Sequence, residues 1–205
     1  MPRPYRIQEA GFVHHIISRG NDRQEIFLSK DDYKTYLLFL EDARKEYPLN
    51  VYNYILMPNH LHLLVEPRRE GSLSKVMEIV SKAYAKYFNK KYERVGHVFQ
   101  GRFKSFLIHD DRYFFACSRY IDLNPVKANM VKDPKDYGWS GYSTLAHGKK
   151  SLIHLDGHDL YQGLGASLTE RQISYRALVN NHQGEELDLL NRRQGALGVS
   201  GKKAA

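Results

Sequence analysis

The chain has 205 residues and a mass of 23.9 kDa; at 42% hydrophobic and 12% aromatic it can bury a core and is too apolar for wholesale disorder. Its 31 Lys and Arg outweigh 23 Asp and Glu, a net charge of +8 that favours a polyanionic partner such as nucleic acid. No run approaches the ~18 apolar residues of a membrane span, no apolar signal core opens the chain, and the lone Cys117 excludes a disulfide framework or a cysteine-rich zinc site, so a soluble, cytoplasmic globular protein is expected.

In chain order, Phe12, Val13, His14, His15, Ile16, Ile17 and Ser18 read as a strand, ending at Arg19-Gly20-Asn21. Ser29 is a good N-cap for a helix with Asp31 and Asp32 in its first turn and Tyr33, Tyr36, Leu37 and Leu40 at helical spacing, stopping before Pro48. Residues 51–57 alternate as a strand, Pro58-Asn59 turns the chain, and 60–66 returns as its hairpin partner. Ser72 or Ser74 caps the next helix, which sets Val76, Ile79, Val80, Ala83, Tyr84, Tyr87 and Phe88 opposite Lys75, Lys82, Lys86 and Lys90. A short strand over 103–109 follows. Asp110 or Asp111 then opens a helix that is halted near Pro125. The order strand, helix, strand, strand, helix, strand, helix predicts an α+β protein with a ferredoxin-like (RRM-like) antiparallel sheet and helices on one face.

After about residue 131 the texture becomes turn-rich and aromatic, as in Tyr137-Gly138-Trp139-Ser140-Gly141-Tyr142. Helical pieces are expected around 155–164 and 169–181, the second with a capping box from Thr169 to Gln172. Residues 195–205 are small and polar enough to fray. Residues 1–131 carry a net +6 and residues 132–205 a net +2, so most of the charge excess lies in the first two-thirds.

Two segments could carry chemistry. In His60-Leu61-His62 the imidazoles stand two apart on a strand and share a face, while Leu61 and Leu63 face the core. Two histidines so placed can hold one divalent cation, or simply line a polar face. Tyr120 and Asn124 are four apart on a helix, hence neighbours on one side. Pro125 pushes Asn124 toward the helix end, and with 15 tyrosines in the chain Tyr120 could equally be a packing residue. His14 and His15 alternate on their strand, so at most one faces any site.

Together these segments resemble the single-tyrosine transposases of the HUH superfamily, specifically the group of REP-associated tyrosine transposases. The resemblance runs in family order over about residues 5–145. It rests on Ser18-Arg19-Gly20-Asn21, Met57-Pro58-Asn59-His60-Leu61-His62-Leu63, Phe99-Gln100-Gly101-Arg102-Phe103-Lys104-Ser105, Tyr120-Ile121-Asp122-Leu123-Asn124-Pro125-Val126-Lys127-Ala128 and Tyr137-Gly138-Trp139-Ser140-Gly141-Tyr142. It implies that His60, His62 and Asn124 hold a divalent metal, Mg²⁺ or Mn²⁺, and that Tyr120 is the nucleophile. It further implies a catalytic domain over residues 1–131 with 132–205 as an extension packed on it. The substrate would be single-stranded, hairpin-containing (REP-like) DNA, nicked and transferred by a monomer through a 5′-phosphotyrosine link. Arg19, Arg23, Arg102, Phe103 and Lys104 lie in family-matching segments and are the expected DNA contacts, a basic groove with an aromatic platform. The alternative is a non-catalytic single-stranded nucleic-acid-binding module, since the ferredoxin-like sheet also serves as such a platform. A binder has no need of His60, His62 and Tyr120 together, and a hydrolase using activated water would not need Tyr120.

Overall fold

All four expected strands pair into one antiparallel sheet. In the computed structural model, which describes residues 10–181, these are β1 (His14–Arg19), β2 (Leu49–Met57), β3 (His60–Pro67) and β4 (Lys104–Leu107), in the order β2-β3-β1-β4. The β2–β3 hairpin turns over Pro58 and Asn59 so that Met57 pairs with His60, and a register shift between Val51 and Asn53 bends β2. The turn is roofed: the Pro58 carbonyl accepts from the N–H groups of Ile26 (2.7 Å) and Phe27 (3.0 Å).

Helices α1 (Lys30–Glu46) and α2 (Ser72–Lys91) cover one face, burying Tyr36, Leu37, Leu40, Val76, Val80 and Tyr84 against Ile16, Leu56, Leu61 and Leu63. Helix α3 (Asp111–Lys127) crosses the other face and packs Phe114, Cys117 and Ile121 on Tyr52, Ile55 and Leu64. The shared face of the ferredoxin-like plan thus belongs to α1 and α2, with α3 opposite. The reason lies in β2, a nearly continuous apolar run buried on both faces, which needs cover on each. Among the described residues no helix is long and apolar enough to cross a membrane.

Local signals moved by a few residues. Gly71, at φ +75°, rather than Ser72 or Ser74 caps α2, because only the left-handed region reverses the chain there. Helix α3 continues to Lys127 through Pro125, which gives up the hydrogen bond its N–H would have made to the Ile121 carbonyl. The final described helix, α6 (Leu168–Asn180), is capped by Ser167 with Glu170 rather than by Thr169 with Gln172. Between them lie α4 (Tyr142–His147), in a stretch read only as turns, and the four-residue α5 (Asp159–Gln162). Helices α4 and α6 pack Tyr142, Leu145, Tyr175 and Val179 around Leu123, while Trp139 and Gly141 hydrogen-bond the free edge of β2. The stretch 195–205, expected to fray, lies outside the described residues.

One close approach demands a glycine. A Cβ on Gly20 would stand 2.1 Å from the Gln24 carbonyl oxygen and 2.9 Å from Ile26 Cγ2. Gly20→Ala is therefore expected to lower the unfolding free energy by about 2 kcal/mol, the usual cost of overpacking, as read from urea denaturation.

Candidate active site

The two-residue period of β3 sends Leu61 and Leu63 into the α1–α2 core and His60 and His62 toward α3. His60 Nδ1 lies 2.6 Å from Asn59 Oδ1, while Asn59 Nδ2 donates to the Arg23 carbonyl at 3.1 Å. That second bond fixes the amide, so Oδ1 accepts and His60 carries its proton on Nδ1. Its Nε2 points at Asn124 Oδ1, 3.3 Å away; His62 Nε2 stands 3.4 Å from Asn124 Nδ2. Burial holds His60 down at about 4 and His62 well below the ordinary 6.5, with the Arg19 charge adding to both. Both rings are neutral at pH 7, the form that ligates a cation.

Helix α3 brings the second pair. Asp110 caps it, accepting from the Tyr113 N–H at 2.8 Å, and one turn separates Tyr120 from Asn124. The Tyr120 ring meets His62 edge-on at 5.4 Å, and the Lys127 ammonium lies 5.1 Å from its centroid. Burial raises the Tyr120 hydroxyl above its ordinary 10, opposed by the hydrogen bond to Asn124 and the Arg19 charge. A buried polar network holds the helix. Asn53 Nδ2 donates to Asp122 Oδ1 and Ser118 Oγ, both at 2.9 Å, and Tyr175 O–H donates to Asp122 Oδ2 at 2.6 Å. Burial pushes Asp122 up to about 7, against the pull of Tyr175 and Asn53. Strand β2, α3 and α6 are thereby joined behind Tyr120.

Among the described residues no three His, Cys, Asp or Glu side chains cluster to hold a metal, so a cation here depends on two imidazoles and an amide. The residues fit one. With His60 protonated on Nδ1, its bare Nε2 faces a carbonyl oxygen at 3.3 Å. Two acceptors so close repel unless a cation lies between them.

The family model described as Transposase IS200 like matches residues 10–124. The chain belongs to that family. The IS200-like transposases are DNA-cleaving enzymes, and this one is 28% identical over 132 residues to a Haemophilus influenzae protein provisionally described as a REP-associated tyrosine transposase. The match covers 59% of the chain and 74% of that relative. The fold is similar to the solved structure of a REP-associated tyrosine transposase bound to a REP hairpin, with a TM-score of 0.60 and 18% identity, covering 77% of this chain and 93% of that one.

The expected DNA contacts of this IS200-like transposase fall in three places. Arg19, Arg102 and Lys104 line a cleft of about 520 Å³ with Ile17 and Phe106, on the half of the catalytic face that α3 leaves open. Phe103 lines a neighbouring cavity of about 540 Å³ against α2, with Arg102 common to both. Arg23 lies apart from both, exposed in the turn whose carbonyl holds Asn59. Of the lysine row, Lys75 and Lys82 pair with Glu78 on a solvated face. Arg68 pairs with Glu66 at the far end of β3, roughly 20 Å from His60. His97 lines the α2-side cavity, and His109 is exposed ahead of α3.

His15 was not foreseen at the site. It is fully buried, 2.8 Å from His62 Nδ1 through Nε2. The alternation of β1 says only that one of His14 and His15 faces this side; the register against β3, pairing Ile17 with His62, decides which.

Proposed function

We propose that this transposase is a metal-dependent endonuclease and strand transferase acting on single-stranded, hairpin-containing DNA through a covalent 5′-phosphotyrosine. The observation that carries the reading is the convergence of Tyr120 on His60, His62 and Asn124, whose amide lies within 3.4 Å of both ring nitrogens. Hairpin DNA as the substrate is supported by the solved neighbour, whose partner is a REP hairpin.

His60 and His62 through Nε2, with Asn124 through Oδ1, would hold the metal, Mg²⁺ or Mn²⁺; imidazole favours the softer Mn²⁺. Bound there, a divalent ion polarises the scissile phosphodiester and offsets charge on its oxygens. Tyr120 Oη attacks phosphorus as its proton leaves, the bond to the 3′ oxygen breaks, and that oxygen takes up a proton as a free 3′-hydroxyl. The phosphotyrosine keeps the phosphodiester's energy, so a 3′-hydroxyl can reverse the step and join a new strand. Arg19 supports the phenolate electrostatically, and with Arg102 and Lys104 lines the cleft in which the backbone would lie. Phe103 offers a stacking surface next door, and Arg23 a contact at the turn.

In this reading residues 1–131 form the catalytic domain and 132–205 the extension packed on it. One chain carries a whole site, with α3 tied to its own sheet, which supports a monomer; its proposed place of action is the cytoplasm, on nucleoid DNA. The test is incubation of the full chain with a 3′-labelled single-stranded hairpin oligonucleotide and Mg²⁺ or Mn²⁺. Labelled DNA is expected to migrate with the protein on a denaturing gel, and a chelator is expected to abolish it. No cleavage with either metal would favour the binding module.

A further inference from the structure

We propose that His15 is a positioning residue that fixes His62 in the tautomer whose Nε2 faces the cleft. The role rests on the metal reading of the site, but its observations are its own.

His62 has two ring nitrogens with different neighbours. Nε2 faces Asn124 at 3.4 Å, while Nδ1 stands 2.8 Å from His15 Nε2. A neutral imidazole carries one proton. If the proton is on Nδ1, it is donated to His15 and Nε2 is left as a lone pair toward Asn124, free to ligate. If it is on Nε2, it meets the Asn124 amide nitrogen, itself a donor, and the ring is useless as a ligand. His15 therefore decides the tautomer by which role its own Nε2 takes, and an accepting Nε2 makes His62 ligand-ready. This is the usual office of the group behind a metal-bound histidine.

The packing around His15 suits a fixed acceptor. Its ring lies edge to edge with that of His62, centroids 5.0 Å apart and planes 23° apart, the near-coplanar arrangement an N–H···N bond requires. Phe106 from β4 and Tyr120 from α3 each stand 6.1 Å from it on other sides. The ring is fully buried, so bulk water does not compete for His62 Nδ1. His60 has the matching arrangement from a different group, Asn59 Oδ1 accepting from its Nδ1. The two imidazoles thus have separate outer partners, and both present Nε2 to the same amide. A carboxylate in the place of His15 would be a buried charge at large desolvation cost; a neutral ring accepts without it.

The experiment is long-range ¹⁵N–¹H NMR on the full chain without metal, with Mn²⁺ affinity measured in parallel by electron paramagnetic resonance. The wild type is expected to carry the His62 proton on Nδ1. His15→Phe keeps an aromatic ring in the same place and removes the acceptor. It is expected to scramble the His62 tautomer and weaken Mn²⁺ binding about tenfold, while His15→Gln, which retains an acceptor, recovers most of the affinity. A His62 proton on Nε2 in the wild type would overturn the assignment, and needs no variant to fold. So would a folded His15→Phe protein with unchanged tautomer and affinity, the result a merely structural ring would give. A chain with the expected tautomer and Mn²⁺ affinity but no covalent DNA adduct would sink the proposed reaction and leave the role of His15 standing.

Discussion

Tyr120→Phe is expected to eliminate the covalent protein–DNA adduct, a fall of at least about 10⁴-fold in the cleavage rate, the scale on which loss of a nucleophile registers. The substitution removes one oxygen and leaves the ring that touches His62, His15 and Lys127. Hairpin binding, read by filter retention, should stay within about threefold of wild type, since the basic cleft around Arg19, Arg102 and Lys104 is untouched. The label decides the polarity as well. A 3′-labelled strand should travel with the wild-type protein, and a 5′-labelled strand should appear as a free product ending in a 3′-hydroxyl. Cleavage that survives the substitution without an adduct would assign the attack to a water molecule and make Tyr120 a packing residue. The geometry favours the first outcome, because Tyr120 and Asn124 are held on one side of α3 by anchors that touch neither. Asp122, between them in sequence, points to the opposite side, where Asn53 and Tyr175 hold it.

What could be read in the sequence depended on how local the signal was. The shared face of His60 and His62 follows from strand period alone, as does the burial of Leu61 and Leu63. The β2–β3 hairpin was legible from Pro58-Asn59 between two apolar runs. Neighbourhood of Tyr120 and Asn124 needed only helical spacing, and Pro125 misled about where the helix ends because the structure carries it inside the last turn, two residues short of the end. The meeting of the two segments is not local, and only the family resemblance implied it. His15 was illegible for the same reason: it lies 47 residues from its partner, and a slip of one residue in the β1–β3 register would have put His14 there instead. Asp122 carries no local signal of burial. It is buried because α6, from beyond the family match, brings Tyr175 over it. Strand β2 reads in sequence as alternating, yet it is buried on both faces, under α1 and α2 on one and α3 on the other.

Asp32→Ala is expected to be strongly destabilising although it lies outside the site, lowering the unfolding free energy by about 4 kcal/mol of a total on the order of 5–15. The carboxylate is fully buried in the first turn of α1 and accepts five hydrogen bonds. The Leu28 and Ser29 N–H groups donate at 2.8 Å, Lys91 Nζ and Tyr92 O–H at 2.7 Å, and Tyr87 O–H at 3.0 Å. Truncation strands these donors, and the Lys91 ammonium loses its counter-charge. Burial alone would raise the Asp32 pKa, but Lys91, Tyr92 and the two backbone donors outweigh it and hold the group at about 2, against an ordinary 3.8. A depressed folded-state pKa stabilises above the unfolded value, so the contribution is complete above about pH 4 and is lost as pH falls through about 2. Urea titrations of wild type and Asp32→Asn should therefore differ at pH 7 and converge toward pH 2; a gap that persists there would assign the effect to shape rather than charge. The consequence for the site runs through the fold. Asp32 ties α1 to α2 and holds the segment whose Ile26 and Phe27 N–H groups roof the Pro58 turn, and that turn sets His60. Loss of adduct in Asp32→Ala should accordingly track the fraction folded across a temperature series, whereas in Tyr120→Phe it should be complete at every temperature.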